Sequence, residues 1–155
     1  MDFKPSKPER KIAVIPDDLI EMAPGEQLST DFFEHQGKDY ILIVDRVSGH
    51  LFARITRNKT QAEAIKAFQE YFSLFGLAHR VRSDGGPGYQ SQFVEYLKGL
   101  HIDHAYTSSY HASSNGMAER GVRSIKEVIK KDGRPITKEI LGEIVFRINC
   151  HQEEG

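Results

Sequence analysis

Apolar and polar residues follow two rhythms along this chain, and each predicts a different kind of element. Three short runs, 28–34, 39–45 and 51–56, are rich in β-branched, aromatic and aliphatic side chains and predict strands. Gln36-Gly37-Lys38 and Val47-Ser48-Gly49 separate them and suit hairpin connections. The middle run, Tyr40-Ile-Leu-Ile-Val44, is apolar at every position, which predicts a strand covered on both faces. Beyond it the period becomes helical. Ile65, Phe68, Phe72 and Phe75 form the apolar face, Thr60-Gln-Ala-Glu63 reads as a capping box, and Gly76 is the stop.

The second half alternates the two rhythms. Residues 79–83 predict a short strand, and Phe93, Tyr96, Leu97 and Leu100 mark an amphipathic helix. Residues 101–106 predict a fifth strand. A long helix from about 116 to 131 carries Ala118, Val122, Ile125 and Ile129 on its apolar face, and a last helix, 137–149, carries Ile140, Leu141, Ile144 and Ile148. The order βββ-α-β-α-β-α-α predicts an α/β plan, a mixed five-stranded sheet flanked by helices.

Length and composition bound this picture. The chain has 155 residues, enough for one domain with one core. Lys and Arg number 21 against 22 Asp and Glu, which argues against a purely electrostatic DNA binder. The single cysteine, Cys150, excludes an intrachain disulfide framework and a Cys-rich zinc site. No apolar run approaches the ~20 residues of a membrane span and no secretory signal opens the chain, so a soluble, intracellular protein without membrane contact is expected. Residues 1–26, with prolines at 5, 8, 16 and 24, predict an extended arm or linker. A core over 27–150 and a truncated tail over 151–155 complete the organisation, as in a piece of a longer polyprotein. The sequence contains no internal repeat or low-complexity tract.

Three acids in three separate motifs carry the candidate chemistry. Asp31 lies in Leu28-Ser-Thr-Asp31-Phe-Phe, Asp84 in Ser83-Asp-Gly-Gly-Pro-Gly-Tyr-Gln-Ser-Gln-Phe93, and Glu119 in Tyr110-His-Ala-Ser-Ser-Asn-Gly-Met-Ala-Glu-Arg120. Carboxylates on separate elements make poor local ion pairs but suit a hard divalent cation that takes oxygen ligands. Each also has a plainer explanation: Asp31 as a strand-end turn or cap residue, Asp84 as an Asx turn, Glu119 as a partner of the helix dipole. Asp45 and Asp103 have only the plain one. The ordered conjunction of the three motifs favours the functional reading.

These motifs resemble the D,D,E catalytic core of the integrases of retroviruses and LTR retrotransposons, especially the gypsy-type branch. The resemblance covers residues 24 to 150 and includes the Pro-rich lead-in, which in the family links an upstream zinc-binding domain to the core. It implies a ribonuclease-H-like fold in which Asp31, Asp84 and Glu119 converge on two Mg²⁺ or Mn²⁺ ions, Asp31 bridging the pair and each of the others completing one. The activity implied is a polynucleotidyl transferase that trims element DNA 3′ ends and joins them to target DNA. A homodimer or higher oligomer is implied too, with exposed aliphatics of 117–149 as candidate contacts. In a eukaryotic host the nucleus is the expected location. Three departures stand out: Ala112 where the family has proline, a spacing of 34 residues between Asp84 and Glu119 that is one short of the usual count, and no tryptophan before Asp31.

Candidate DNA contacts follow from spacing and from the resemblance. Glu119, Arg123, Lys126 and Lys130 share one helical face, and between residues 106 and 134 six Lys/Arg stand against three acids. A basic row beginning at the acidic site suits DNA phosphates; a solvated face with i,i+4 ion pairs is its plain alternative. Tyr110 and Asn115, in the polar loop 107–115, match family positions that approach the DNA end. His104 and His111 read as surface or loop residues, without zinc-like spacing. Two rivals remain open: a ribonuclease-H-type or junction nuclease on the same fold, and a domesticated integrase core serving as a DNA- or protein-binding module.

Overall fold

Three consecutive antiparallel strands and two parallel ones form a single sheet, and apolar side chains on both of its faces recruit the helices. In the computed structural model, which describes residues 23–107 and 116–154, the elements are β1 (Gln27–His35), β2 (Lys38–Asp45), β3 (Leu51–Thr56), α1 (Gln61–Phe75), β4 (Arg80–Ser83), α2 (Ser91–Gly99), β5 (Asp103–Tyr106), α3 (Gly116–Asp132) and α4 (Lys138–Glu154). The sheet order is β3-β2-β1-β4-β5. Strands β1, β2 and β3 pair antiparallel, and β1, β4 and β5 parallel. This is the ribonuclease-H-like arrangement.

The turn chemistry explains the register. Gln36 and Gly37 both take positive φ, 52° and 80°, the conformation a two-residue hairpin needs to match strand twist. They set β1 against β2 from Leu28 opposite Asp45 to His35 opposite Lys38. The next turn hangs on Asp45, whose Oδ1 accepts from the Val47 and Ser48 amides while its Oδ2 accepts from the Gly25 amide. The plain reading of Asp45 as a turn residue is therefore the right one.

Strand β2 shows why a continuous apolar run is needed. Ile41 and Ile43 join Ala64, Ala67, Phe68, Phe72, Phe93 and Leu97 in one cluster, under α1 and α2. Tyr40, Leu42 and Val44 join Ile125, Ile129, Leu141 and Ile144 in the other, under α3 and α4. Successive side chains point to opposite faces, so both faces must be apolar in a three-layer protein. Each such buried side chain contributes roughly 1.5–3 kcal/mol.

Several boundaries differ from expectation for local reasons. His79 stays outside β4, and β5 starts at Asp103 because His101 takes a positive φ of 62° as the chain leaves α2. Helix α4 continues to Glu154, since nothing between Cys150 and Glu154 breaks it. Phe75 belongs to the α1 pattern yet is 51% exposed, its ring tilted against Tyr71 and edge-on to Phe52. The capping box at Thr60 is half formed. Thr60 Oγ1 accepts from the Glu63 amide, but the Glu63 carboxylate accepts from the Arg57 amide instead. Most aliphatics of 117–149 are buried or half-buried in the second cluster; among the described residues the large apolar side chain exposed there is Phe146.

At the sheet edge, the Asn149 side chain bonds both backbone groups of Leu51: Leu51 N–H donates to Oδ1 at 2.8 Å, and Nδ2 donates to the Leu51 carbonyl at 3.0 Å. Among the described residues no helix is long and apolar enough to cross a membrane.

Candidate active site

Sheet register alone brings the first two acids level. Ser29 pairs with Arg82 in the parallel β1–β4 ladder, and continuing that register by two residues sets Asp84 beside Asp31. Asp31 lies on the same face of β1 as Phe33, the face that packs under α3 and α4. Glu119 enters from above that face, in the first turn of α3.

The approach of α3 depends on Gly121. A Cβ there would lie 2.7 Å from Leu42 Cδ2, 3.2 Å from Leu51 Cδ2 and 3.4 Å from Val44 Cγ2. The bare backbone there lets the first turns of α3 settle closely on β2 and β3 and bring Glu119 toward Asp31. The loop after Asp84 makes a similar approach. A Cβ on Gly88 would overlap the ring of Phe32, Asp31's neighbour, and stand 3.0 Å from the Lys59 carbonyl. Strand β1, the Asp84 loop and the β3–α1 connection therefore meet at one place.

The electrostatics record the grouping. The Asp31 carboxyl is pushed up from 3.8 to about 7, first by burial, then by the charges of Asp84 and Glu119; the Phe32 amide and the Lys59 ammonium oppose the shift. Desolvation and like charge both favour the protonated acid. Asp84 is exposed, and its Oδ1 accepts from the Gly86 amide at 2.9 Å, so the plain Asx turn and the shared acidic site coexist in one residue. Among the described residues no three His, Cys, Asp or Glu side chains stand together closely enough to hold a metal ion. The three carboxylates repel one another more than Lys59 offsets, and hard-oxygen donors of this kind suit Mg²⁺ or Mn²⁺.

A pH dependence follows. Asp31 binds its proton more tightly in the fold than in the unfolded chain. That preference stabilises the fold fully below pH 3.8 and is lost as pH rises through about 7. At 1.36 kcal/mol per unit the upper bound is about 4 kcal/mol, and solvent reaching the half-buried side chain lowers it. Without divalent cation, Tm should fall between pH 5 and pH 8; Asp31→Asn should flatten that fall, and millimolar Mg²⁺ should restore stability at pH 8. A profile unchanged by Asp31→Asn in differential scanning calorimetry would separate Asp31 from the other two acids.

Two buried hydroxyls brace the floor. Thr30 Oγ1 donates to the Leu42 carbonyl at 2.9 Å, so the Tyr89 hydroxyl, 3.0 Å away, donates to Thr30. Burial holds the fully enclosed Tyr89 well above the usual tyrosine range. Sequence reasoning missed Thr30, Tyr89 and Lys59 as neighbours of the acids, because contacts across strands leave no local pattern. It also placed His104 on the surface or in a loop. His104 is half-buried on β5, its Nε2 2.7 Å from Ser83 Oγ.

Along α3, Arg123 and Lys130 are exposed and Lys126 half-buried. Among the described residues none of the three forms an ion pair, so the row stands as a solvated basic face. Tyr110, Asn115 and His111 lie outside the described residues.

No family model matches the chain. The Gag-Pro-Pol polyprotein of Simian retrovirus SRV-1 is 33% identical over 104 residues, 66% of this chain and 6% of the polyprotein. The Pol polyprotein of Feline endogenous virus ECE1 is 36% identical over 115 residues, 70% of this chain and 11% of the polyprotein. The chain thus spans only a small part of the curated relatives it matches. Among solved structures, the HTLV-2 integrase catalytic core domain in complex with magnesium (dimeric form) superposes with a TM-score of 0.64 at 25% identity, over 79% of this chain and 85% of that one. Likeness to retroviral Pol sequences and likeness to a retroviral integrase core meet on one sheet, and the chain belongs to the family of integrase catalytic cores.

Proposed function

We propose that this core is a divalent-cation-dependent polynucleotidyl transferase that trims the 3′ ends of element DNA and joins them to target DNA, in the nucleus where the host is eukaryotic. The observation that carries the reading is the shared electrostatic neighbourhood of three acids from three elements, with Asp31 held near 7 by burial and by the other two. Asp31, Asp84 and Glu119 would hold Mg²⁺ or Mn²⁺ through their carboxylate oxygens. A bound pair supplies activation of the attacking oxygen and stabilisation of the departing 3′ oxygen in phosphodiester chemistry. The protein's own part is to set the three carboxylates on a rigid sheet and helix and to steer DNA toward them.

Steering falls to α3. From Glu119 the row Arg123, Lys126, Lys130 runs about 16 Å along the helix, a path for several consecutive phosphates. Tyr110 and Asn115, which match family positions near the DNA end, complete the proposed contacts. Lys126→Glu should weaken DNA binding and lower the salt slope by about 1, read by fluorescence anisotropy across a salt series. An unchanged slope would leave the row as solvated surface.

The test of the activity is disintegration of a branched DNA substrate, the reverse of strand transfer, with Mg²⁺ or Mn²⁺ titrated in. Metal-dependent resolution of the branch supports the transferase. Cation binding without turnover points to a domesticated core that binds DNA or protein, and simple strand cutting without joining points to a ribonuclease-H-type nuclease. We infer self-association as well, since the related HTLV-2 core is described in dimeric form. A monomer mass in light scattering at working concentrations would contradict it.

A further inference from the structure

Strand β5 carries two side chains that the proposed chemistry does not yet use. His104 and Tyr106, two residues apart and so on one face of the strand, stand edge-to-face with ring centres 4.4 Å apart. Each grips one end of the loop that carries Asp84. At the start of the loop, His104 Nε2 is 2.7 Å from Ser83 Oγ, and Ser83 Oγ donates to the Asp84 carbonyl at 3.1 Å. At its end, the Tyr106 hydroxyl donates to the Tyr89 carbonyl at 2.9 Å. Tyr89 in turn reaches Thr30, the residue before Asp31.

Proton counting sharpens the first grip. Ser83 has one hydroxyl proton and two neighbours. If that proton goes to the Asp84 carbonyl, Ser83 must accept from His104, which requires the proton on Nε2. With the other tautomer Ser83 would donate to His104, and the Asp84 carbonyl would lose its bond. Ser83 is fully buried, so its hydroxyl proton must choose between these two partners. The Phe93 ring meets His104 edge-on at 5.9 Å and limits how the imidazole can turn.

We propose that His104 and Tyr106 are positioning residues: a two-point clamp from β5 that fixes the Asp84 loop, and through it the second carboxylate, relative to Asp31. The inference rests on the transferase reading above. Neither residue touches the acids, so each acts through the loop. Partners of this kind around a metal site typically change affinity or rate by about 10–100-fold when removed.

The experiment uses the whole chain with three variants, H104L, H104Q and Y106F. Each is measured for kcat and KM in Mg²⁺-dependent disintegration, for Mn²⁺ affinity by calorimetry, and for Tm. H104L should lose about tenfold or more in kcat and bind Mn²⁺ more weakly, with KM for DNA unchanged. H104Q, whose Nε2 can still donate to Ser83, should recover most of both losses, and Y106F should show a smaller fall of the same kind. A merely structural role would instead lower Tm in all three and leave H104Q no better than H104L. That result overturns the inference, as does wild-type kcat and Mn²⁺ affinity in H104L and Y106F. If the unmodified chain binds Mn²⁺ without turnover, the Mn²⁺ affinities alone decide the clamp. If it neither binds Mn²⁺ nor turns over DNA, the transferase reading fails and the clamp falls with it.

Discussion

Asp84→Asn should abolish metal-dependent strand transfer while leaving the fold intact. Asparagine keeps a side-chain oxygen, so the bond from the Gly86 amide that shapes the loop survives. What disappears is the negative charge. Losing a single oriented hydrogen-bond donor from an active site costs about 10²–10³ in rate, and a cation ligand carries at least as much. Stability should move the other way. Asp84 is the largest charge contribution raising the Asp31 pKa, so its neutralisation lets Asp31 ionise more readily and relieves repulsion at pH 8. Loss of turnover in the disintegration assay together with an equal or higher Tm is therefore the expected signature. A variant that still turns over would remove Asp84 from the site, and one with a lower Tm at pH 8 would contradict the repulsion between Asp84 and Asp31.

Gly121→Val should be the most disruptive single change outside the acids. Alanine at this position would gain roughly 1 kcal/mol of helix propensity over glycine, partly offsetting the crowding of its Cβ against the fully buried Leu42. Valine adds two methyl groups in the same direction and gains less propensity. Overpacking of a closed core costs about 1–3 kcal/mol, so the valine variant should lose roughly 2–12 °C in Tm at about 2–4 °C per kcal/mol for a domain this size. The start of α3 must lift, taking Glu119 with it, so Mn²⁺ affinity should fall more than the stability loss alone explains. Unchanged Tm and affinity would mean that α3 does not press on β2 and β3.

The contrast between Gly121 and Asp84 shows what a single sequence makes legible. Most of the elements described carry their own periodic signal, because a three-layer α/β protein makes its central strands and its helices bury apolar residues at their natural period. Tyr40-Ile-Leu-Ile-Val44 announces a strand covered on both sides, and Ile125 and Ile129 announce the buried stripe of α3. Asp84 is legible because its glycine-rich motif is compact. Gly121 is not, since a glycine inside a helix reads as a weakness until the opposing Leu42 and Leu51 side chains are in place. His104 was misplaced for the same reason: its partner Ser83 lies 21 positions away, and a parallel crossover alone brings them together. The reach of Glu63 back to Arg57 instead of Thr60 is a smaller example. Local motifs specify which groups need partners, and the tertiary fold decides which partners they get.

The amide of Asn149 against Leu51 has a consequence for how this protein meets others. Strand β3 is one of the sheet's two edges, and an open edge invites pairing by any extended chain, including another copy in a misfolded encounter. By taking one N–H and one carbonyl out of circulation, Asn149 acts as a stopper at one end of that edge. It discourages runaway strand addition and leaves side-chain docking as the easier mode of contact. A chain cut before Asn149 would leave the edge unguarded, and it should be more prone to fibril growth than the chain that retains it.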